Sequence, residues 1–475
     1  MKKLLYSLIC LLLLPAVVSS CVDDGRKEIL KVYNWGDYID EDLIPEFEAW
    51  YEEQTGESVE IIYQTFDINE VMLAKIENGC ADFDVVCPSE YIIERMMRKE
   101  LLLPILTEEF VQEIDAKGIN YFNCVSPFIK EQFSLLETPE GVDPNDYSVG
   151  YMWGTTGILY NKAYVTDEEA LSWSLMFDER FDGMIFVKDA FRDVYSPMLI
   201  YAKTLEAREA GLLGEDETLS IETIREFMYD ASDESIALVE GYLKRMKQLV
   251  AGWEADFGKE MMTQEKAWID LMWSGDAVWA IDEASEVDVE LGYAVPKEGS
   301  VMWFDGWVIP KYARNAKAAR YFINYMCMPE NAIRNMDATG YVSVVTTQEV
   351  FDAIEDLSVC EMEQLDLSYL FVDESGAPLE GSDCVWADPV LYPDRSVISR
   401  SGVMHDSGDR TDKMLEMWSR VKGDNLSTGM LVGIILFFSV MLVWGVVRKV
   451  DSYRKKQQMI MRRRRHRSEK KRYFF

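Results

Sequence analysis

Residues 29–87, ILKVYNWGDYIDEDLIPEFEAWYEEQTGESVEIIYQTFDINEVMLAKIENGCADFDVVC, decide the fold class. Three short apolar or β-branched runs, 29–33, 59–63 and 83–87, read as strands. Between them, 43–53 and 68–77 carry apolar residues at helical spacing. Asn34-Trp35-Gly36 and Asn78-Gly79 punctuate the pattern as turns. Strands separated by helices of this length imply an α/β fold with a parallel sheet. Ligands bind such sheets beyond the carboxyl ends of the strands. Two segments fall there, Trp35-Gly36-Asp37-Tyr38 and Pro88-Ser89-Glu90-Tyr91.

A second unit follows. Residues 149–153 and 157–160 read as strands crossing into it, and 183–187 as another strand. Residues 189–205, 221–229, 235–249 and 264–272 read as helices, and 277–281 as a strand. Residues 302–309 read as a strand returning to the first unit, with a helix at 316–326. Residues 350–395 mix acids, Gly and Pro in an irregular excursion. Cys360 and Cys384 flank it and are the best disulfide pair if the chain is exported.

The 475 residues include 48 Lys+Arg and 84 Asp+Glu, for a net charge of −36. At 48% hydrophobic the chain is too apolar for an acidic disordered protein. The charge is unevenly spread. Residues 426–475 hold 13 bases and 2 acids, whereas 22–425 hold 33 bases and 82 acids, net −49. That field repels nucleic-acid phosphates and favours cationic partners, although solubility is the simpler account of acidity alone. Only His405 and His466 are present, so Ser-His-Asp, Cys-His and histidine-rich zinc chemistry are not expected. No CxxC pair, phosphate loop or G-x-S-x-G occurs, and no metal or cofactor is expected.

Residues 1–21, MKKLLYSLICLLLLPAVVSSC, have the basic start and apolar run of a secretory signal. Val18-Ser19-Ser20-Cys21 resembles a bacterial lipobox, in which Cys21 becomes the lipidated first residue. An ordinary signal peptide with an incidental cysteine is the other reading. Residues 426–447 form 22 uncharged positions, enough for a helix to span a bilayer core of about 30 Å. Arg448 and Lys449 follow, then RKK and RRRRHR. Positive charge beside a span stays cytoplasmic, which is simpler than nucleic-acid binding. The expected topology places 22–425 outside and 448–475 inside. A 28-residue tail is too short for an output domain.

Aromatic and acidic residues combine at the expected loop ends. They are Trp35 with Asp37 and Tyr38, Trp303 with Asp305, and Asp282-Glu283 with Glu286. Ser89 and Tyr91 add hydroxyls, and Asp189 and Asp193 start a helix. An aromatic face attracts an alkylammonium and packs its methylenes, at about 0.5–2 kcal/mol. A carboxylate accepts its charge-assisted hydrogen bond. Each segment alone also fits a structural role: Trp35 and Trp303 as core residues, Asp37 and Asp189 as helix caps. Paired carboxylates serve glycoside hydrolysis too, but nothing here pairs them across a scissile bond.

KVYNWGDYID, DFDVVCPSEYIIERM followed by RKELL, YMWGTTGILYN and VPKEGSVMWFDGWVIP occur in this order. They resemble the spermidine/putrescine-binding proteins of bacterial polyamine ABC importers, from about residue 30 to 340 and more weakly to about 422. The resemblance implies an α/β, two-lobed periplasmic-binding-protein fold with a central cleft. To this the sequence adds a C-terminal transmembrane helix at 426–447 and a basic cytoplasmic tail at 448–475. Lobe 1 would comprise 22–150 with about 283–425, and lobe 2 would comprise 151–282. The resemblance further implies ligand binding without catalysis, and delivery to a membrane permease with a cytoplasmic ATPase. It makes Trp35, Asp37, Tyr38, Ser89, Tyr91, Asp193, Trp303 and Asp305 cleft residues, and Tyr341 a weaker member. Glu286 matches an acid of putrescine-type members, and Glu283 falls where a family tryptophan aligns. Ala190 and Phe191 replace a second family acid. The expected location is the inner membrane, with the binding domain facing the periplasm or exterior. Another cationic solute, or a sensory subunit acting on a membrane partner, is the alternative.

Overall fold

The computed structural model describes residues 25–79, 82–215, 217–373 and 375–423, with positions 436–439, 441, 444, 448 and 449. The expected signal segment with Cys21, most of the expected span at 426–447 and the tail beyond residue 449 lie outside these residues. No helix among the described residues is long and apolar enough to cross a membrane. The chain divides into two compact units, Met1–Leu415 and Glu416–Phe475.

The first unit opens with β1 (Ile29–Trp35), β2 (Glu60–Phe66) and β3 (Val85–Val86). β1 pairs in parallel with both others, as the helices Leu43–Thr55 and Asn69–Glu77 between them require. β4 (Leu102–Leu103) is followed by β5 (Ser148–Asn161), buried along its whole length. Then come β6 (Ile185–Lys188), β7 (Val250–Glu254), β8 (Ile269–Trp273), β9 (Leu291–Ala294) and β10 (Ser300–Pro310). The main sheet order is β2-β1-β3-β10-β5-β8-β6-β7. β6 is parallel to β7 and β8, so a second parallel group mirrors the first. β5 and β10 run antiparallel between the groups and join them. The first half of β5 pairs with β10, and its second half pairs with β8 and β9. Two α/β halves on shared long strands make a two-lobed fold.

The segments expected at 149–153 and 157–160 are one strand, because β5 continues through Gly154 without a turn. A Cβ on Gly154 would lie 2.6 Å from Trp303 Cζ2 and 2.4 Å from Ser274 Oγ, so this crossing tolerates no side chain. Two expectations reverse. The helix expected at 264–272 is replaced by β8, and the strand expected at 277–281 lies inside the helix Ser274–Ser285. WIDLMW is a short apolar run whose period does not separate a buried strand from a buried helix.

The excursion carries β12 (Glu363–Leu365) and β13 (Val385–Ala387), after β11 (Val342–Ser343) and before β14 (Ser401–Gly402). Fully buried Asp388 accepts from the amides of Cys360 and Val390 at 2.8 Å each. Cys360 and Cys384 are free thiols. The β12–β13 register sets Leu365 against Val385 and Glu363 against Ala387, which puts the two cysteines at opposite ends of the ladder.

Candidate functional site

β10 changes register at Asp305/Gly306, and such an irregularity re-aims a strand side chain. The backbone of Ser89 bridges to Asp305, and Gly306 N donates to Pro88 O at 3.0 Å. The segment following β3 thereby meets β10. Asp305 accepts from Ser89 Oγ at 2.6 Å and from Tyr38 OH at 2.9 Å. Tyr38 follows a turn in which Asp37 adopts φ 48°, and its carbonyl accepts from Tyr151 OH at 2.8 Å. Burial pushes the Asp305 carboxyl up to about 7. The two hydroxyl donors pull it back, and the nearby Asp193 charge raises it further.

The network extends through the start of the helix Asn69–Glu77. Asn69 Nδ2 donates to Ser89 Oγ at 3.0 Å and to Tyr91 OH at 3.2 Å. Tyr91 OH donates to Glu70 Oε1 at 3.0 Å. Burial raises Glu70, and it raises the fully enclosed Glu90 well above the usual carboxylate range. Glu90 accepts from Phe304 N at 3.0 Å, beside Asp305.

The other half contributes Asp193, in the first turn of the helix Phe191–Glu209. Trp273 Nε1, at the end of β8, donates to Asp193 Oδ1 at 2.9 Å. Burial lifts Asp193 to about 6, the indole donor opposes this, and Glu70 adds to it. Trp35 faces Trp273 edge-on, with centroids 6.3 Å apart. Trp303 and Tyr38 pack edge-on against Tyr341, at 5.5 and 5.0 Å. Tyr341 OH donates to Asp276 Oδ1 at 2.7 Å.

Five carboxyl groups, of Asp305, Glu70, Glu90, Asp193 and Asp276, thus gather among aromatic rings. Neither Asp305 nor Asp193 has an ion-pair partner among the described contacts. Carboxylates whose charge is opposed by burial and by one another are poised for a cation to replace their protons. The described residues hold no group of three or more His, Cys, Asp and Glu side chains able to bind a metal. His405 lies outside this network, 2.8 Å from Glu94 and stacked on Tyr229 at 3.8 Å. A cavity of about 140 Å³ near Ile129, Lys130 and Phe133 shares none of these side chains.

Of the residues singled out from sequence, Tyr38, Ser89, Tyr91, Asp193, Trp303, Asp305 and Tyr341 are buried in this network, and Trp35 borders it half-buried. Asp37 points from an exposed turn, and no described hydrogen bond or ion pair links its side chain to Asp305. Glu283 and Glu286 were expected at a loop end. They are exposed at the C-terminal end of the helix Ser274–Ser285, whose first turn carries Asp276, so the helix directs them away from the network. Asn69, Glu70, Glu90, Trp273 and Asp276 were missed. The signal for Trp273 was present, as an aromatic two residues before Gly275 and three before an acid, but its strand was read as part of a helix.

Residues 47–354 match the profile of the bacterial extracellular solute-binding protein family. The spermidine/putrescine-binding periplasmic protein of Escherichia coli K12 is 26% identical over 314 residues, 66% of this chain and 76% of its own. The putrescine-binding periplasmic protein PotF of the same strain is 26% identical over 436 residues, 89% and 98% of the two chains. Among solved structures, the spermidine/putrescine ABC transporter substrate-binding protein PotD of Streptococcus pneumoniae superposes with a TM-score of 0.53 at 27% identity, covering 83% of this chain and 98% of its own. A Listeria monocytogenes structure, described as a candidate spermidine/putrescine ABC transporter, gives a TM-score of 0.61 at 29% identity over 83% and 99%. The two α/β halves on shared crossing strands are the periplasmic-binding-protein fold, and the chain belongs to the bacterial extracellular solute-binding protein family, whose members bind substrates for transporters and are not enzymes.

Proposed function

We propose that this chain is the extracytoplasmic substrate-binding component of an ABC importer and that it binds a polyamine, putrescine or spermidine, between its lobes. The observation that carries the reading is the pair of buried carboxyl groups, Asp305 and Asp193, without an ion-pair partner among the described contacts and bordered by Trp35, Trp273, Trp303 and Tyr38. Aromatic faces pack a methylene chain and attract its ammonium ends, while carboxylates bond those ends. Asp305 takes one ammonium and Asp193, with Glu70, the other. Ser89, Tyr91 and Tyr341 orient the acids and close the walls. Asp37, Glu283 and Glu286 stand outside this set.

The lobes in this reading are 22–150 with about 283–425, and 151–282. Residues 1–21 direct export, with Cys21 the lipidation site, and 426–447 tether the chain with 448–475 in the cytoplasm. A permease with a cytoplasmic ATPase takes the cargo. The four relatives described above are polyamine-binding or polyamine-transport proteins, which agrees with this ligand class.

Isothermal calorimetry with putrescine and spermidine tests the reading. Heat saturating at one ligand per chain is expected. No heat from either amine, and no competition by either, overturns the polyamine assignment. Asp305→Ala should weaken binding by about 1–3 kcal/mol or more, as for a lost buried charge partner. An unchanged affinity removes Asp305 from the site.

A further inference from the structure

The helix Pro127–Ser134 buries Ile129 and Phe133 and carries Lys130, half-buried, beside them. Phe133 packs against Phe304, with ring centroids 6.3 Å apart, and its ring stands 3.1 Å from where a Cβ on Gly306 would lie. Phe304 precedes Asp305, and successive strand residues point to opposite faces. The helix therefore backs β10 on the face away from the Asp305 carboxyl. Leu106, Phe122, Val125, Ile129, Phe133 and Lys130 line a cavity of about 140 Å³ there. Protein interiors hold few voids larger than a water molecule. A cavity of about 150 Å³ lined by Leu, Ile and Phe side chains accepts benzene. This one therefore has room for a single six-membered ring.

Its one cationic side chain sets the chemistry of the occupant. Lys130 Nζ donates to the Phe122 carbonyl at 3.0 Å. An ammonium carries three donors, so two remain. Lys130 has no carboxylate partner among the described contacts, although the chain holds 84 acids to 48 bases. Lys188, where β6 ends, shows the contrast: its buried Nζ lies 2.6 Å from Asp276 Oδ2 and 2.8 Å from Glu254 Oε1. Burial pushes the Lys130 amine down, and only the thiols of Cys327 and Cys124 work against this. An incoming carboxylate would restore the counter-charge and accept a charge-assisted hydrogen bond. Apolar walls with one placed polar group are the usual make-up of a small-molecule site. We propose that this cavity is a second ligand site, separate from the cleft, for a small aromatic monocarboxylate whose ring lies among Leu106, Phe122, Val125, Ile129 and Phe133 and whose carboxylate pairs with Lys130.

A ligand-observed NMR titration of the full chain tests the site with three probes. Benzoate has ring and charge, benzyl alcohol keeps the ring without the charge, and acetate keeps the charge without the ring. Benzoate should saturate with a Kd below about 1 mM. Benzyl alcohol should bind at least about tenfold more weakly, and acetate at the same concentration should not displace benzoate. Putrescine should leave benzoate bound, because the cleft lies on the other face of β10. Lys130→Met should weaken benzoate at least about tenfold and leave benzyl alcohol unchanged. Val111→Phe, at the half-buried rim, should fill the cavity and abolish benzoate binding while putrescine binding is kept. No saturation by benzoate, benzyl alcohol binding as tightly as benzoate, or release of benzoate by putrescine each overturns the proposal. These are read on the wild-type chain and decide the matter if Lys130→Met does not melt cooperatively. A folded Lys130→Met with unchanged benzoate affinity overturns it as well. The proposal does not rest on the polyamine reading: absence of amine binding overturns that reading alone, and the benzoate titration still decides this one.

Discussion

An aspartate in an unfolded chain titrates near 4, whereas burial holds the Asp305 carboxyl at about 7 and that of Asp193 at about 6. A folded value above the unfolded one means that the folded, ligand-free protein binds extra protons between pH 4 and 7. Its stability from these groups is full below about pH 4 and declines as pH rises through the folded values. An ammonium ligand needs the carboxylates ionised, so it displaces those protons. Polyamine affinity should therefore be greatest near pH 8, where carboxylates and ammonium groups are both charged, and fall as pH drops below 7. The slope should be about tenfold per unit for one displaced proton, steepening below pH 6 as Asp193 joins. Calorimetry repeated in buffers of different ionisation heat counts the protons directly. A release that does not grow between pH 8 and 6 contradicts the assignment of these two groups to the ammonium ends.

At the scale of elements, the site depends on how closely β5 passes β10 and the helix Ser274–Ser285. Gly154 permits the ring of Trp303 to lie on β5. Gly154→Ala places a methyl inside contact distance of a rigid indole, so the wall must shift. Overpacking of this kind costs roughly 1–3 kcal/mol. The variant should melt lower and bind the cleft ligand more weakly, by thermal melt and calorimetry. Unchanged binding at lowered stability would detach the Trp303 wall from the site. Much of this architecture was readable in advance. Residues 221–229 and 316–326 were bounded as the structure has them, because their apolar spacing is long and regular. The strand-end rule located Tyr38 and Ser89, since parallel strands leave their following loops on one rim. It was blind to Asn69, Glu70 and Asp276, which enter from the first turns of helices. Trp273 was lost with the misread strand β8, and Glu283 and Glu286 were misplaced by the same error in reverse. Lys188 stood one residue from a noted acid, and only tertiary contact shows that its amine turns inward.

For the whole molecule, the distribution of charge bears on how ligand arrives. Residues 22–425 hold 82 acids against 33 bases, and only a handful of those acids face the site. The excess is carried by the same stretch of chain that builds the cleft proposed to receive a small cation. Charges of one sign around a binding site raise the encounter rate of an opposite ligand by about 10–10³ at low ionic strength. The effect fades as the screening length falls from about 30 Å at 0.01 M salt to about 8 Å at 0.15 M. Dissociation breaks short contacts inside a buried site, where mobile ions screen little. The association rate of putrescine, followed by stopped-flow tryptophan fluorescence, should thus drop at least about tenfold across that salt range, while the dissociation rate stays nearly constant. An association rate indifferent to salt would assign the acidic surface to solubility alone. A dissociation rate that rises with salt as steeply would mean that the carboxylates holding the ligand are open to solvent, contrary to the burial of Asp305 and Asp193.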